Sequence, residues 1–263
     1  MSTHPKFIVA TTKSWNIHWA NSVQVNLSDN FMPPAYFGHT ELPRIGNIPA
    51  IYKDWMKELI QKKEELTYYN IFGSPVDGHS ATTWPQYIFF PHWSWKIPKD
   101  VYENVECIVF HMTDLPYGRG GSPLQNLIVK GLKYTQISAF RVVDEMDAGP
   151  IYLKHPLSLE GTSEEILKRA SDYIFRNMIP YILSNKPKPV EQYGKPTKFK
   201  RRTPSNGNLG GLKKLSKVYD YIRMLDGEGY PPAFVETDGL RLQFTEAKLK
   251  AGEVEAKVKI KVK

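Results

Sequence analysis

Apolar positions along this chain fall into three kinds of pattern. The first is the uninterrupted run: Phe7-Ile8-Val9-Ala10, Tyr87-Ile88-Phe89-Phe90 and Cys107-Ile108-Val109-Phe110. Runs of four with no polar break suit strands covered on both faces, as in a parallel sheet. Pro91 stops the second run, and Pro98 opens a short helix to about Asn104. Strand, short helix, strand is a βαβ unit, so the spacing predicts a parallel α/β sheet with right-handed crossovers. Gln136–Val143 and Pro150–Leu157 read as further strands.

The second pattern has helical spacing. It covers 50–66, with Ile51, Trp55, Leu59 and Ile60, and then Pro123–Lys130. Thr162 and Glu165 form a capping box before Ile166, Leu167, Ala170, Tyr173, Ile174 and Met178, so a helix should run to about Leu183. Leu215, Val218, Tyr219, Ile222 and Leu225 predict one more. The third pattern is alternation at the end of the chain. Leu240, Leu242 and Phe244, then Val254, Ala256, Val258, Ile260 and Val262, predict a hairpin with lysines outward. Residues 13–49 show no period and predict loops and short pieces. Lys186–Pro196 is rich in lysine and proline and reads as a linker. The expected organisation is an α/β, Rossmann-like domain over 1–190 and a small α+β subdomain over 191–263.

Composition narrows the class. The 263 residues are 41% hydrophobic and 24% charged, ordinary for a soluble globular chain. A single cysteine, Cys107, excludes an internal disulfide and a cysteine-cluster metal site. The seven histidines show no metal-ligand spacing, so no metal is expected. No apolar run approaches the roughly 20 residues of a membrane span. Phe7–Thr12 is too short for a signal-peptide core, so the expected location is cytoplasmic and no membrane partner is expected. Net charge is +8, with lysine and arginine crowded into 186–217 and 248–263. That balance favours anionic ligands.

Ligands of open α/β sheets bind outside the carboxyl ends of the strands. His92 follows the strand 87–90, His111 follows 107–110, and Asp147 follows 136–143 through a short loop. An imidazole accepts a proton near neutral pH and a carboxylate can fix its tautomer. A lone strand-end histidine is more often merely hydrogen-bonded, so the pattern alone is weak.

Around His111 the sequence reads His111-Met112-Thr113-Asp114-Leu115-Pro116-Tyr117-Gly118-Arg119-Gly120-Gly121-Ser122-Pro123-Leu124-Gln125. This resembles the folate-dependent formyltransferase signature Asn-x-His-x-Ser-Leu-Leu-Pro, followed by Arg-Gly and Pro-Ile-Gln. Asp147-Ala148-Gly149-Pro150-Ile151 is similar to that family's second signature. The resemblance is good over 87–185, weaker beyond Phe199, and absent over 13–85. It implies N10-formyltetrahydrofolate as formyl donor and a catalytic asparagine, histidine and aspartate. His111 and Asp147 match the last two. Val109 occupies the asparagine position. His92 is the first candidate to replace that hydrogen-bond donor, with Thr113 and Asn126 next.

The resemblance places the folate beside Phe90, Pro91 and Trp93 and against Val143 and Gly149. Only about sixty residues follow Lys200, fewer than a methionyl-tRNA formyltransferase barrel needs. The chain therefore looks most like nucleotide-sugar N-formyltransferases of the pseudaminic-acid type. The expected acceptor is then a UDP-4-amino-4,6-dideoxy-N-acetyl-altrosamine used in bacterial surface glycans. Arg119, Lys200, Arg201 and Arg202 would hold its phosphates, since guanidinium forks match phosphate oxygens. Nucleic acid is not the expected partner, and a homodimer is compatible with the chain. Two alternatives stand: a methionyl-tRNA formyltransferase-like enzyme, and a degenerate folate- or nucleotide-sugar-binding protein.

Overall fold

A computed structural model describes residues 7–11, 13, 15, 16, 35, 36 and 86–263. The predicted helix over 50–66 and nearly all of the 13–49 segment lie outside the described residues. The chain divides into two compact units, interleaved in sequence. One holds 1–111, 138–153 and 171–192; the other holds 112–137, 154–170 and 193–263.

The first unit is built on a sheet. Its strands are β1 (Phe7–Thr11), β2 (Ala35–Tyr36), β3 (Tyr87–Pro91), β4 (Glu106–His111) and parts of β6 (Tyr134–Arg141) and β7 (Ile151–Ser158), whose residues 134–137 and 154–158 are assigned to the other unit together with β5. The strand order is β2-β1-β3-β4-β6-β7. β1 pairs in parallel with β2 and β3, and β3 with β4. The crossover between β3 and β4 carries the short helix α1 (Lys99–Tyr102). Its Val101 packs with Ala10, Ile88, Phe90, Ile97, Val105 and Cys107 in a buried cluster, against which Trp93, Val109 and Val142 lie.

The sheet is mixed, because β6 runs antiparallel to β4, with Ile108 opposite Arg141 and His111 opposite Ser138. The expected Rossmann-like α/β class stands, and only the parallel pairing expected of this strand is corrected. Two apolar strands can pair in either direction, and the connection decides which. Here the chain between them contains the loop and helix of residues 112–133. Within the same unit, a π-helical segment Ile174–Met178 precedes the helix Ile179–Asn185. Pro180 explains the irregularity: it removes an amide donor and its ring crowds the carbonyl one turn earlier.

The second unit contains β5 (Arg119–Gly120), paired in parallel with β8 (Lys198–Phe199). It also contains α2 (Pro123–Lys130) and most of α3 (Ser163–Tyr173). The predicted capping box precedes α3: the Glu165 amide donates to the Thr162 hydroxyl at 3.2 Å, and the Thr162 amide donates to the Glu165 carboxylate at 2.8 Å. With Ile179–Asn185 of the first unit counted as α4, the last helix is α5 (Leu215–Arg223). Three antiparallel strands follow, β9 (Ala233–Glu236), β10 (Leu240–Lys250) and β11 (Glu253–Val262), ordered β11-β10-β9. The alternation predicted β10 and β11 but not β9. Two adjacent prolines, Pro231 and Pro232, precede β9 and are a turn signal rather than a strand signal. Phe234 is instead a buried strand residue with the Arg241 guanidinium 3.7 Å over its ring.

Candidate active site

His111 is the last residue of β4 and is 7% exposed. Its Nδ1 lies 3.8 Å from Oδ2 of Asp147. That distance is an electrostatic contact just beyond direct hydrogen bonding, and catalytic pairs commonly tighten only with substrate bound. Asp147 arrives by a different route from the one the sequence suggested. Because β6 is antiparallel, its end at Arg141 lies beside Ile108, and the loop 142–150 carries Asp147 back to His111.

The loop is tightly specified. Asp147 has φ +54°, in the left-handed region that an aspartate tolerates better than most residues. A Cβ on Gly149 would sit 1.7 Å from the Arg141 carbonyl oxygen, so only glycine fits there. The side-chain amide of Gln192 donates one hydrogen to the Asp147 carbonyl and one to the Gly149 carbonyl, both at 2.8 Å. Two residues earlier, Val190 and Ile151 exchange backbone hydrogen bonds at 2.7 and 2.8 Å. Segment 190–192 therefore straps the aspartate loop. Gln192 is a functional candidate that sequence reasoning missed; a glutamine in a Pro/Lys-rich linker carries no local signal.

His92 follows β3. Pro91 pairs with Phe110, so the next residues, His92 and His111, end adjacent parallel strands. His92 has φ +53° and is 6% exposed. Its Nε2 lies 2.8 Å from the Ser171 hydroxyl. The two segments expected to line a folate are brought together. Trp93 and Val142 pack on the same core cluster. Lys96 and Tyr102 both reach Asp144, at 3.4 and 3.5 Å. Phe90 is wholly buried beneath Trp93, the ring centroids 5.2 Å apart, and Trp95 stands edge-on to Trp93 at 5.0 Å. Pro91 is buried in β3, and Val143 is half-buried at the start of the loop. Half-buried indoles beside a backbone-rich loop fit a flat, polar-edged heterocycle such as a pterin.

The remaining predicted residues belong to the second unit. Arg119 is buried, its amide bonded to the Thr197 carbonyl at 2.9 Å. Lys200, Arg201, Arg202, Asn126, Asn206 and Tyr221 help line a cavity of about 480 Å³. Asn126 fixes the rim by donating to the carbonyls of Gly121 and Lys200 at 3.1 and 3.0 Å. The Arg202 guanidinium lies over the Tyr221 ring and donates to the Asn206 carbonyl at 3.0 Å. Its Nε is buried without a hydrogen-bond partner among the described residues. A cavity lined by one lysine and two arginines suits an anion. Asn126 spends its amide hydrogens on the rim, so it is not an oxyanion donor in this arrangement.

Comparison with known proteins fits this geometry. Residues 204–261 match the family described as "Methionyl-tRNA formyltransferase, C-terminal domain". A solved structure titled methionyl-tRNA formyltransferase, from Clostridium thermocellum, is 42% identical, covers 98% of this chain and 100% of that one, and superposes with a TM-score of 0.80. The chain belongs to the formyltransferase family. Within it, the kinship runs to members named methionyl-tRNA formyltransferase. That of Bacillus pumilus is 26% identical over 160 residues, 58% of this chain and 50% of its own. The chain spans about half the length of the curated relatives it matches. A structure described as a likely sugar N-formyltransferase, from Mycobacterium tuberculosis, shares the fold at 14% identity, with a TM-score of 0.61 over 89% of this chain and 93% of that one.

These findings overturn the nucleotide-sugar reading and its pseudaminic-acid assignment. That reading took a short C-terminal region as evidence against methionyl-tRNA formyltransferases. The short region of one helix and three antiparallel strands is itself what matches their C-terminal domain. Among the described residues no helix is long and apolar enough to cross a membrane.

Proposed function

We propose that this protein transfers a formyl group from N10-formyltetrahydrofolate to the amino group of methionyl-tRNA. The observation that carries the reading is the His111–Asp147 contact inside two formyltransferase signatures, on a chain 42% identical along its length to a methionyl-tRNA formyltransferase. The folate supplies an activated formyl carbon. Trp93, Val143 and the backbone around Pro91 and Gly149 hold its heterocycle, with Phe90 supporting Trp93 from below. His111 orients the formyl group and takes the proton released by the attacking amine, and Asp147 holds the imidazolium that results. Bringing two reactants together accounts for on the order of 7–11 kcal/mol of the barrier.

Arg119, Lys200, Arg201 and Arg202 serve the acceptor's phosphates. The basic composition of the second unit, which favours anionic ligands, then has a polyanionic partner. Each phosphate contact contributes a slope of about −0.7 to −0.9 to the dependence of log affinity on log salt. The test is formyl transfer from N10-formyltetrahydrofolate to methionyl-tRNA, beside uncharged tRNA and an amino-sugar nucleotide as acceptors. Formylmethionyl-tRNA as sole product supports the reading. Folate binding without transfer to any acceptor, consistent with Val109 in the asparagine position, would replace it with the binding-protein alternative.

A further inference from the structure

Beneath His92 runs a chain of buried hydrogen bonds whose direction is fixed at one end. The Thr11 hydroxyl lies 3.2 Å from the Pro91 carbonyl oxygen, which can only accept. Thr11 therefore spends its one proton there and accepts from the Asn16 amide at 2.7 Å and from the Lys13 backbone N–H at 3.3 Å. With its amide nitrogen turned to Thr11, Asn16 presents Oδ1 to Ser171, whose hydroxyl donates to it at 2.7 Å. Ser171 has then used its proton. It accepts from the Trp15 indole N–H at 3.1 Å and lies 2.8 Å from Nε2 of His92. Thr11, Asn16 and Ser171 are completely buried, so the direction is not scrambled by bulk water.

We propose that Ser171, backed by Asn16 and Thr11, is a positioning residue of the active site, and that it holds neutral His92 as the tautomer protonated on Nε2. His92 and His111 directly follow the paired residues Pro91 and Phe110 at the ends of adjacent strands. This changes the expected role of His92. A neutral imidazole whose donor hydrogen is committed to Ser171 does not also donate to a developing oxyanion, so His92 supports the site rather than replacing the missing donor. Replacement of the partner that orients a metal-bound histidine typically costs about 10- to 100-fold, and a loss of that order is expected here. The proposal rests on the formyltransferase reading for its kinetic consequence, and on hydrogen-bond direction alone for its tautomer.

The experiment joins two readouts. Nitrogen-15 NMR of histidine-labelled protein, at a pH where His92 is neutral, should show the proton on Nε2. Asn16→Leu frees the Ser171 proton, so the tautomer should shift toward Nδ1–H. Ser171→Ala should mix the tautomers and lower kcat by about 10- to 100-fold, with KM for folate and methionyl-tRNA changed less than about threefold. Ser171→Thr, which keeps the hydroxyl, should retain both the tautomer and most of the rate. Wild-type His92 protonated on Nδ1 would overturn the proposal, even if Ser171→Ala fails to fold. So would a Ser171→Ala rate within about twofold of wild type once the tautomer has changed. A wild-type protein that moves no formyl group refutes the functional reading, whereas the NMR result still decides the tautomer.

Discussion

Replacing Gln192 by methionine should disable the aspartate loop without unfolding the protein. The substitution keeps length and volume but removes two hydrogen bonds, to the carbonyls of Asp147 and Gly149. Each is worth about 1 kcal/mol net, so the loop loses about 2 kcal/mol of restraint. Against it stands the left-handed backbone of Asp147, a conformation that costs on the order of 1–3 kcal/mol when the surroundings do not impose it. The two magnitudes are comparable, so the loop should populate geometries in which the carboxylate no longer faces His111. A shift of about 2 kcal/mol corresponds to roughly 30-fold. The expected result is a fall in kcat of about 10- to 30-fold, with a small fall in melting temperature because the Val190–Ile151 bridge is untouched. Steady-state formylation of methionyl-tRNA measures the first and calorimetry the second. A rate within about twofold of wild type would show that Gly149 and the bridge alone fix Asp147.

Three further outcomes follow from single residues. His111→Ala and Asp147→Asn should each lower turnover by about a hundredfold or more while leaving far-ultraviolet circular dichroism unchanged; a near-native rate in either would remove the assigned role. Cys107 should resist alkylation in the native protein and react on unfolding, because burial, followed by the Glu106 charge, pushes its thiol far above the ordinary range; rapid native-state labelling would contradict that. Burial raises the Asp226 carboxyl pKa, in spite of the N–H that Glu246 donates to it. A raised folded pKa contributes stability below the unfolded value and loses it as pH rises, so Asp226→Asn should raise the melting temperature near neutral pH and change little at acidic pH; equal shifts at both would refute the argument.

How far the sequence could be read depended on the range of the interactions. Local patterns carried β3, β4, α2, the capping box at Thr162 and the final hairpin, because apolar period and cap chemistry are properties of neighbouring residues. Strand direction was not legible. Nothing in Gln136–Val143 distinguishes a parallel from an antiparallel partner for β4, since both bury the same residues. β9 was hidden by Pro231 and Pro232, which read as a turn although they only precede the strand. In the site, His111 and Asp147 stood out through their signatures. Their supports did not: Ser171 lies 155 positions from Asn16, and Gln192 lies 45 from Asp147. Polar residues of ordinary type acquire roles there only through tertiary contact.

Val109 joins these levels. It sits two residues before His111 on β4, so strand alternation puts both on one face, and its side chain packs against the core cluster with Trp93 and Val142. An asparagine there would bring an amide to the same face, at the cost of lodging a polar group against apolar neighbours. The chain has apolar packing where its family has a donor. Losing one preorganised oxyanion donor costs about 3–4 kcal/mol in the barrier. His92 cannot make this up as a neutral donor if its proton is committed to Ser171. On the proposed mechanism the oxyanion interaction then falls to His111. The valine and the buried serine thus bear on one question: with an apolar side chain at 109 and the Nε2 hydrogen of His92 held by Ser171, the proposed orientation of the formyl group concentrates on His111.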